Sequence, residues 1–370
     1  MTHSDPFEIF LVAAPGLEAA LRAEAVEAGF PAPEAVTGGV VLMGGWPEIW
    51  RANYLLRGAV RVLARIARFP VTHLAQLDKK ARRVDWAGYL PAGAVIAVEA
   101  SCRKSKIYHS GAAAQRIEGA IIDAIGAQSG KEGLRVMVRI ENDLCTLSLD
   151  TSGAPLHKRG AKPEVNAAPM RETTAALLLR QCGYRGTEPV LDPMCGSGTF
   201  VIEAAEMARR LAPGRARAFA FEHFRSFNPE AFAAIRSAHE ERASDIVHRG
   251  SDRDAGAIRM SLANAERAGV SGTTAFLHMP VKDLERPDSP PGLVIVNPPF
   301  GARLGSKGKL GGLYAALGNT LLRRFSGWRV GLVATDAGLV RATGLPFHPP
   351  GQSIDNNGLR IALYRTDPLP

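Results

Sequence analysis

Two short segments, each placed directly after an apolar run, constrain the fold of this chain more than any other feature. Pro189-Val-Leu191 leads into Asp192-Pro-Met-Cys-Gly-Ser-Gly-Thr199 and then Phe200-Val-Ile-Glu-Ala-Ala205. That order is strand, Gly-rich turn, helix, the place where an α/β sheet brings bare backbone N–H groups against a nucleotide-like ligand. About a hundred residues later, Leu293-Val-Ile-Val296 leads into Asn297-Pro-Pro-Phe300, which sets a carboxamide, two rigid prolines and an aromatic ring at the carboxyl end of a strand. Between them lie Ile246–Ser251 as a strand, Ala255–Ala268 as a helix and Thr274–His278 as a strand. Either segment alone could be a packing device. In this order they predict a doubly wound parallel sheet with ligands outside the strand carboxyl ends.

The turn lacks the third glycine of a nicotinamide fingerprint and the Gly-Lys-Ser/Thr of a P-loop. It suits a ligand without pyrophosphate, such as S-adenosyl-L-methionine. Asp192, Cys195, Gly196, Gly198 and Thr199 are then cofactor-binding candidates. Asp252, just past the second strand, is placed to accept two hydrogen bonds from a ribose diol, and Asp283 to accept from an adenine amino group. Asp254 competes for the ribose, but it can instead cap the next helix. Asn297, Pro298 and Phe300 read as a clamp for a planar amine. The Asn297 side-chain oxygen and the Pro298 carbonyl would accept both amino hydrogens, and Phe300 would stack on the base. Catalysis by such a site is positioning and electrostatics, with no general base needed before attack. Cys195, inside the turn, is read as a small side chain and not as a nucleophile.

These segments, with Gly250-Ser-Asp-Arg-Asp254, Leu156-His-Lys-Arg-Gly160, Ala168–Thr174, Ala14–Leu21 and Gly38–Leu42, resemble the THUMP-containing RNA guanine-N2 methyltransferases. The likeness is greatest to the amino-terminal half of the bacterial large-subunit rRNA enzymes. It implies a class I methyltransferase domain over residues 171–370, preceded by a ferredoxin-like part at 1–60, a THUMP-like RNA-binding domain at 61–152 and a linker at 153–170. It also implies that Arg171–Gln181 packs over the cofactor, which makes Thr173 a contact candidate, helix capping being the alternative. The chain departs from the family where Phe300 stands for Tyr and Ala302 for Glu. The first keeps a stacking face; the second removes a carboxylate that could meet the target base.

Composition agrees. Forty-five basic against 36 acidic side chains leave a formal charge of +9, which suits a polyanionic partner. The basic residues run from Arg61, Arg65 and Arg68 to Lys79, Lys80, Arg82 and Arg83, then Arg103, Lys104 and Lys106. This is either a solvated face or a surface that follows RNA phosphates. Four cysteines without C-x-x-C spacing and scattered histidines indicate neither zinc nor disulfides. No export signal or membrane-length apolar run is evident, so the expected compartment is the cytoplasm. Two functions of different class follow: methylation of a guanine amine in ribosomal or transfer RNA, or an RNA-binding assembly role without turnover. The clamp itself does not separate guanine N2 from adenine N6 or a glutamine amide.

Overall fold

Alternation builds the first sheet: in Leu134–Glu141 the buried residues are Val136, Val138 and Ile140, each separated by a more exposed neighbour. The computed structural model describes residues 6–160, 170–299, 307–356 and 358–370. By its contacts the chain falls into two units, residues 1–13, 22–156 and 217–239 in one, and 14–21, 157–216 and 240–370 in the other.

The order to residue 150 is β1 (Phe7–Val12), α1 (Glu18–Glu27), β2 (Glu34–Val36), β3 (Gly39–Gly44), α2 (Trp46–Leu55), β4 (Arg61–Pro70), α3 (Leu74–Ala81), α4 (Trp86–Tyr89), β5 (Val95–Arg103), α5 (Ser110–Ile125), β6 (Gln128–Ser129), β7 (Leu134–Glu141) and β8 (Leu144–Asp150). The strands form one sheet in the order β2-β3-β1-β4-β8-β7-β5-β6. Its pairs are antiparallel except those of β5 with β6 and β7. β4 carries a bulge between Arg65 and Ala67. α1 begins at Glu18. Gly16 before it sits at φ +94°, and a Cβ there would lie 2.4 Å from the Ser353 carbonyl oxygen.

The second unit contains α6 (Glu172–Gln181), β9 (Val190–Asp192) and α7 (Thr199–Ala208). After α8 (Pro229–Ser237) come β10 (His248–Asp252), α9 (Ala255–Ala268), β11 (Thr274–His278), β12 (Leu293–Val296), α10 (Lys307–Arg324), β13 (Arg329–Ala334), α11 (Ala337–Ala342), β14 (Ile354–Asn356) and β15 (Leu359–Arg365). The sheet order is β11-β10-β9-β12-β13-β15-β14. The first five strands are parallel and β15 is antiparallel to β13. One core gathers Tyr314, Leu317 and Leu321 of α10 with Val294, Val296 and Leu332. Another gathers Val201, Ile202 and Ala205 of α7 with Ile258 and Ala265 of α9 and Phe276 of β11. α7 is buried nearly all round, its Glu203 and Glu206 included. Buried carboxylates are tolerable only when paired: Arg159 donates to Glu203 at 2.9 Å and Arg215 donates to Glu206.

The stretch between α7 and β10, long for an αβ connection, has a structural reason. Its residues 217–239, α8 included, belong to the first unit. There Phe221 and Phe227 meet Trp50 of α2, and Phe232 meets Tyr54. Phe221 also stacks on Phe219 with centroids 5.0 Å apart and is fully buried. Phe221→Ala should therefore destabilise that unit by about 3–5 kcal/mol, the usual cost of an emptied aromatic site, whereas Phe221→Leu should cost under about 1.5 kcal/mol. Urea unfolding followed by tryptophan fluorescence checks both, since Trp46 and Trp50 lie in the same aromatic cluster.

Candidate functional site

From β9 the sheet grows one way through β10 and β11, and the other way through β12 and β13. β9 and β12 are therefore neighbours at the topological switch point, where the helices leave the sheet on opposite faces and a crevice opens outside the strand carboxyl ends. The pairing Val190 with Leu293 and Leu191 with Val294 sets the two strand ends side by side. The Gly-rich turn and the Asn-Pro-Pro segment thus begin next to each other.

The turn is held by contacts that sequence reasoning missed. Gly196 and Gly198 take left-handed φ of 54° and 83°. The Gly196 N–H donates to Asp252 at 3.0 Å and the Cys195 N–H to the Ser251 carbonyl at 2.9 Å. From α9, Ser261 Oγ donates to the Gly196 carbonyl at 2.8 Å and Asn264 Nδ2 to the Ser197 carbonyl at 3.0 Å. Both are spaced on one helix face, but nothing in the sequence says that this face meets the turn. Gly198 caps α7, and a Cβ on it would sit 3.1 Å from the Phe276 ring and from Ser261 Oγ. Its place in the turn is thus required by backbone geometry and packing, beyond any need of ligand access. Thr199, at the start of α7, directs its hydroxyl to the Met170 carbonyl at 3.5 Å, which brings the start of α6 against the turn.

Asp192 ends β9 and is 3% exposed. Its Oδ1 accepts from the Met194 N–H at 3.0 Å. Burial pushes its pKa up to about 8; that hydrogen bond pulls it down and the nearby Asp252 charge pushes it up further. Asp252 is half-buried, and its second oxygen accepts from the Asp254 N–H at 2.9 Å. Asp254 caps α9, accepting from the Gly256 N–H at 2.7 Å. Asp283 is exposed in a short 3-10 turn beyond β11. The Thr173 hydroxyl caps nothing: Arg171 is the N-cap of α6, and Thr173 Oγ1 is buried without a partner. Ser251 Oγ, at the carboxyl end of β10, is likewise buried and unpartnered. Cys195 is buried against Ser261 at 3.8 Å, and burial holds its thiol well above the usual range. A thiol so held is no nucleophile. Among the described residues no group of three or more His, Cys, Asp and Glu could hold a metal ion, and no helix is long and apolar enough to cross a membrane.

Asn297 follows β12, and its Oδ1 is buried with no hydrogen-bond partner. Pro298 beside it is buried. Phe300 and Ala302 lie outside the described residues. A buried acceptor left unpaired costs about 1–3 kcal/mol, a cost that a ligand donating a hydrogen bond there would relieve. A buried carboxyl facing no cation, a second carboxylate at the next strand end and unpaired hydroxyls form a donor set that fits S-adenosyl-L-methionine, with its ammonium group and ribose diol.

In the first unit the expected basic surface divides. Arg61 is bound to Asp150 and Arg65 to Glu8, so these two are structural ion pairs and not part of a free basic run. Arg82 is held by Asp78 at 2.9 Å and Asp123 at 2.6 Å. Lys80 donates to the Pro70 carbonyl at 2.6 Å. Lys79 and Arg83 are exposed, as are Arg103, Lys104 and Lys106. The loop bearing the latter three is fixed by the β7–β8 turn: the Lys106 N–H donates to Asp143 at 2.7 Å and the Asp143 N–H to Ser105 Oγ at 3.1 Å.

Because Gly198 is packed on both sides, Gly198→Val should lower the thermal melting point of the second unit as well as abolish ligand binding. Ser261→Ala, which removes one latch from the turn, should cost about 1 kcal/mol and weaken ligand binding severalfold. Differential scanning fluorimetry with and without ligand separates the two effects. A Gly198→Val protein melting like the wild type would show that the glycine serves the ligand alone.

Known proteins were compared with this site. The family model described as the RMKL-like methyltransferase domain matches residues 159–346, the RlmL ferredoxin-like domain matches 8–63 and the THUMP domain matches 71–150. A protein named ribosomal RNA large subunit methyltransferase K/L from Syntrophotalea carbinolica is 33% identical over 93% of this chain and 51% of its own length. The chain spans about half the length of this and similar curated relatives. Among solved structures, one described as a possible methylase from Clostridium difficile 630 is 28% identical, covers 99% of this chain and 98% of its own, and has a TM-score of 0.90. Another, a candidate methyltransferase complexed with SAH, is 25% identical with a TM-score of 0.86 over 99% of both chains. With a methyltransferase model matching more than half of its length, the chain belongs to the RMKL-like methyltransferase family.

Proposed function

We propose that this chain methylates the exocyclic N2 amine of a guanine in RNA, with large-subunit ribosomal RNA as the substrate. The observation that carries the amine is the buried, unpartnered Asn297 Oδ1 beside the Gly-rich turn. The THUMP match and the relatives named for large-subunit rRNA support the RNA.

The cofactor supplies an electrophilic methyl group on a sulfonium centre. The chain's residues hold and orient. Asp192 would face the cationic end of the donor, Asp252 would accept from its ribose, and Asp283 and Thr173 would make outer contacts. Cys195, Gly196, Gly198 and Thr199 would shape the turn against it. Asn297 Oδ1 and the Pro298 carbonyl would accept the two amino hydrogens of the base, and the Phe300 ring would cover its plane. An aromatic amine is a poor nucleophile because its lone pair is delocalised into the ring. Two acceptors favour the pyramidal nitrogen and point the lone pair outward. Bound there, the cofactor would supply its methyl group to the amine so oriented, and the surplus amine proton would leave to solvent.

Because this clamp tightens as the nitrogen pyramidalises, losing it lowers kcat more than it weakens binding. Asn297→Ala should lose about 10²–10³-fold in single-turnover rate with cofactor affinity nearly unchanged. Mass spectrometry of nucleosides from ribosomal and transfer RNA treated with wild type and variant tests both the amine and the RNA. Methyl on adenine alone, or on transfer RNA alone, would overturn the corresponding half.

Asp192 gives the pH test. Its pKa in the free protein is raised to about 8, so at pH 6 it is protonated, whereas an unfolded aspartyl is ionised above about 3.9. Between those values the raised group costs the free protein stability, increasingly as pH approaches 8. A bound cation favours the carboxylate. Cofactor affinity should therefore rise with pH, by up to about tenfold per unit, and level off above 8. Calorimetry in buffers of different ionisation enthalpy should show one proton released at pH 6.5, and Asp192→Asn should abolish the release.

A further inference from the structure

The helices α3 and α5 pack together against one face of the first unit's sheet; the other face is different in kind. Register places Glu8 of β1, Arg65 and Arg68 of β4, Thr146 of β8, Arg139 of β7 and Ser101 of β5 on that second face. Arg68 is there because of the bulge. Arg65 pairs with Ser148, but after the extra residue it is Ala67 that pairs with Leu147 and Arg68 with Thr146. With regular alternation Arg68 would point to the side where Leu147 and Val138 are buried. One inserted residue therefore turns a guanidinium out of the core and onto the open face.

The charges there do not cancel. Arg61, Arg65, Arg68, Arg103, Arg135 and Arg139 share the face with only four acids. Those acids are committed: Asp150 to Arg61, Glu8 to Arg65, Glu99 to Arg135 and Glu141 to Arg139. Among the described residues Arg68 and Arg103 have no acid partner. Arg68, Arg103 and Arg139 are exposed, and the first and last flank Thr146 on two alternate strands, about 10 Å apart at two strand spacings. Burial, then the fields of Arg68 and Arg139, lower the pKa of Arg65 to about 10. Like charges are thus crowded at the one end of the sheet from which the Lys104 and Lys106 loop also projects.

We propose that this open sheet face, at the ends of β4, β7 and β5, is the principal phosphate-binding surface for RNA, with Arg68, Arg139 and Arg103 as its anchors and Thr146 and Ser101 as hydroxyl donors between them. The proposal rests on the RNA reading above and moves the contact from the α3 side to the arginine face. α3 is the weaker candidate, since its Arg82 is held by two acids, Asp78 and Asp123, whereas Arg139 has one, Glu141, and Arg68 and Arg103 have none among the described residues. Guanidinium groups fixed along strands present forks to successive phosphates at small entropic cost.

The test uses the full chain and a fluorescein-labelled hairpin RNA, with anisotropy measured across a potassium chloride series. Arg68→Ala with Arg139→Ala should weaken binding at least tenfold at low salt and reduce the slope of log affinity against log salt by about two, one per lost phosphate contact. Arg68→Lys with Arg139→Lys should keep most of the slope, because charge remains. Thr146→Glu, which sets a carboxylate between the two, should weaken binding without removing either arginine. Lys79→Ala with Arg83→Ala should change the slope by less than the arginine pair does. Circular dichroism melts show which variants are folded, and the Lys and Glu variants stand if the Ala pair is not. Wild type that binds while both the arginine variants and Thr146→Glu bind equally well overturns the sheet-face proposal and leaves the RNA reading standing. Wild type that binds no RNA at any salt overturns the RNA reading itself.

Discussion

A strand of three residues carries the geometry of the candidate site. β9 pairs with β10 through Leu191 and Asp192 and with β12 through Val190 and Leu191. Were it longer, Asp192 would be a ladder residue. Being this short, it ends the strand, and the chain turns at once into the Gly196–Gly198 bend. The bend is then bound on the β10 side by Asp252 and from α9 by Ser261 and Asn264. Backbone hydrogen bonds of a turn must go somewhere. Here several are answered by side chains of neighbouring elements, which fixes the turn before any ligand arrives. Preorganisation of that kind keeps the ordering cost out of the binding step.

Two carboxyls at adjacent strand ends create the site's electrostatic character. Asp192 is buried and lies in the field of Asp252, which raises its proton affinity. Among the described residues both accept hydrogen bonds from backbone amides and from no arginine or lysine. The buried glutamates of α7, a few residues away, are treated oppositely, with Arg159 on Glu203 and Arg215 on Glu206. The same helix that packs as core thus has its charges neutralised internally, while the carboxyls at its amino end are held by backbone amides. On the proposed reading, a cationic ligand would draw the proton off Asp192 and pair with the carboxylate.

Much of the second unit was legible because its signals are local. Asp254, a residue type that caps helices, precedes the periodic stretch that became α9, and Ala255–Ala268 is the observed helix. Thr274–His278 and Leu293–Val296 are bounded by turn residues and are the observed strands. The Ile246 strand began later, at His248. What was not legible depends on contacts between distant residues. Arg61 and Arg65 read as a free basic run until the fold brought Asp150 and Glu8 to them across 89 and 57 positions. The bulge in β4 leaves no mark in composition, yet it decides which face Arg68 occupies. Nor does the aromatic stretch Phe219–Phe232 announce that it packs on Trp50 and Tyr54 as well as on itself.

The proposed clamp uses an amide where the cofactor side uses carboxyls, and the difference has a physical reason. A carboxylate at position 297 would also accept hydrogen bonds, but burial would disfavour its charged form, and once protonated it would turn one acceptor into a donor. A carboxamide cannot do that. Its oxygen stays an acceptor at every pH the protein meets, so the orphaned Oδ1 of Asn297 remains available whatever the protonation of the neighbouring acids. On the proposed reading, charge is placed where a permanent cation must be held, and a neutral acceptor is placed where a neutral amine must be turned into a nucleophile. The pH dependence of binding and the polarity of the reacting centre are thereby separated onto the ends of two adjacent strands.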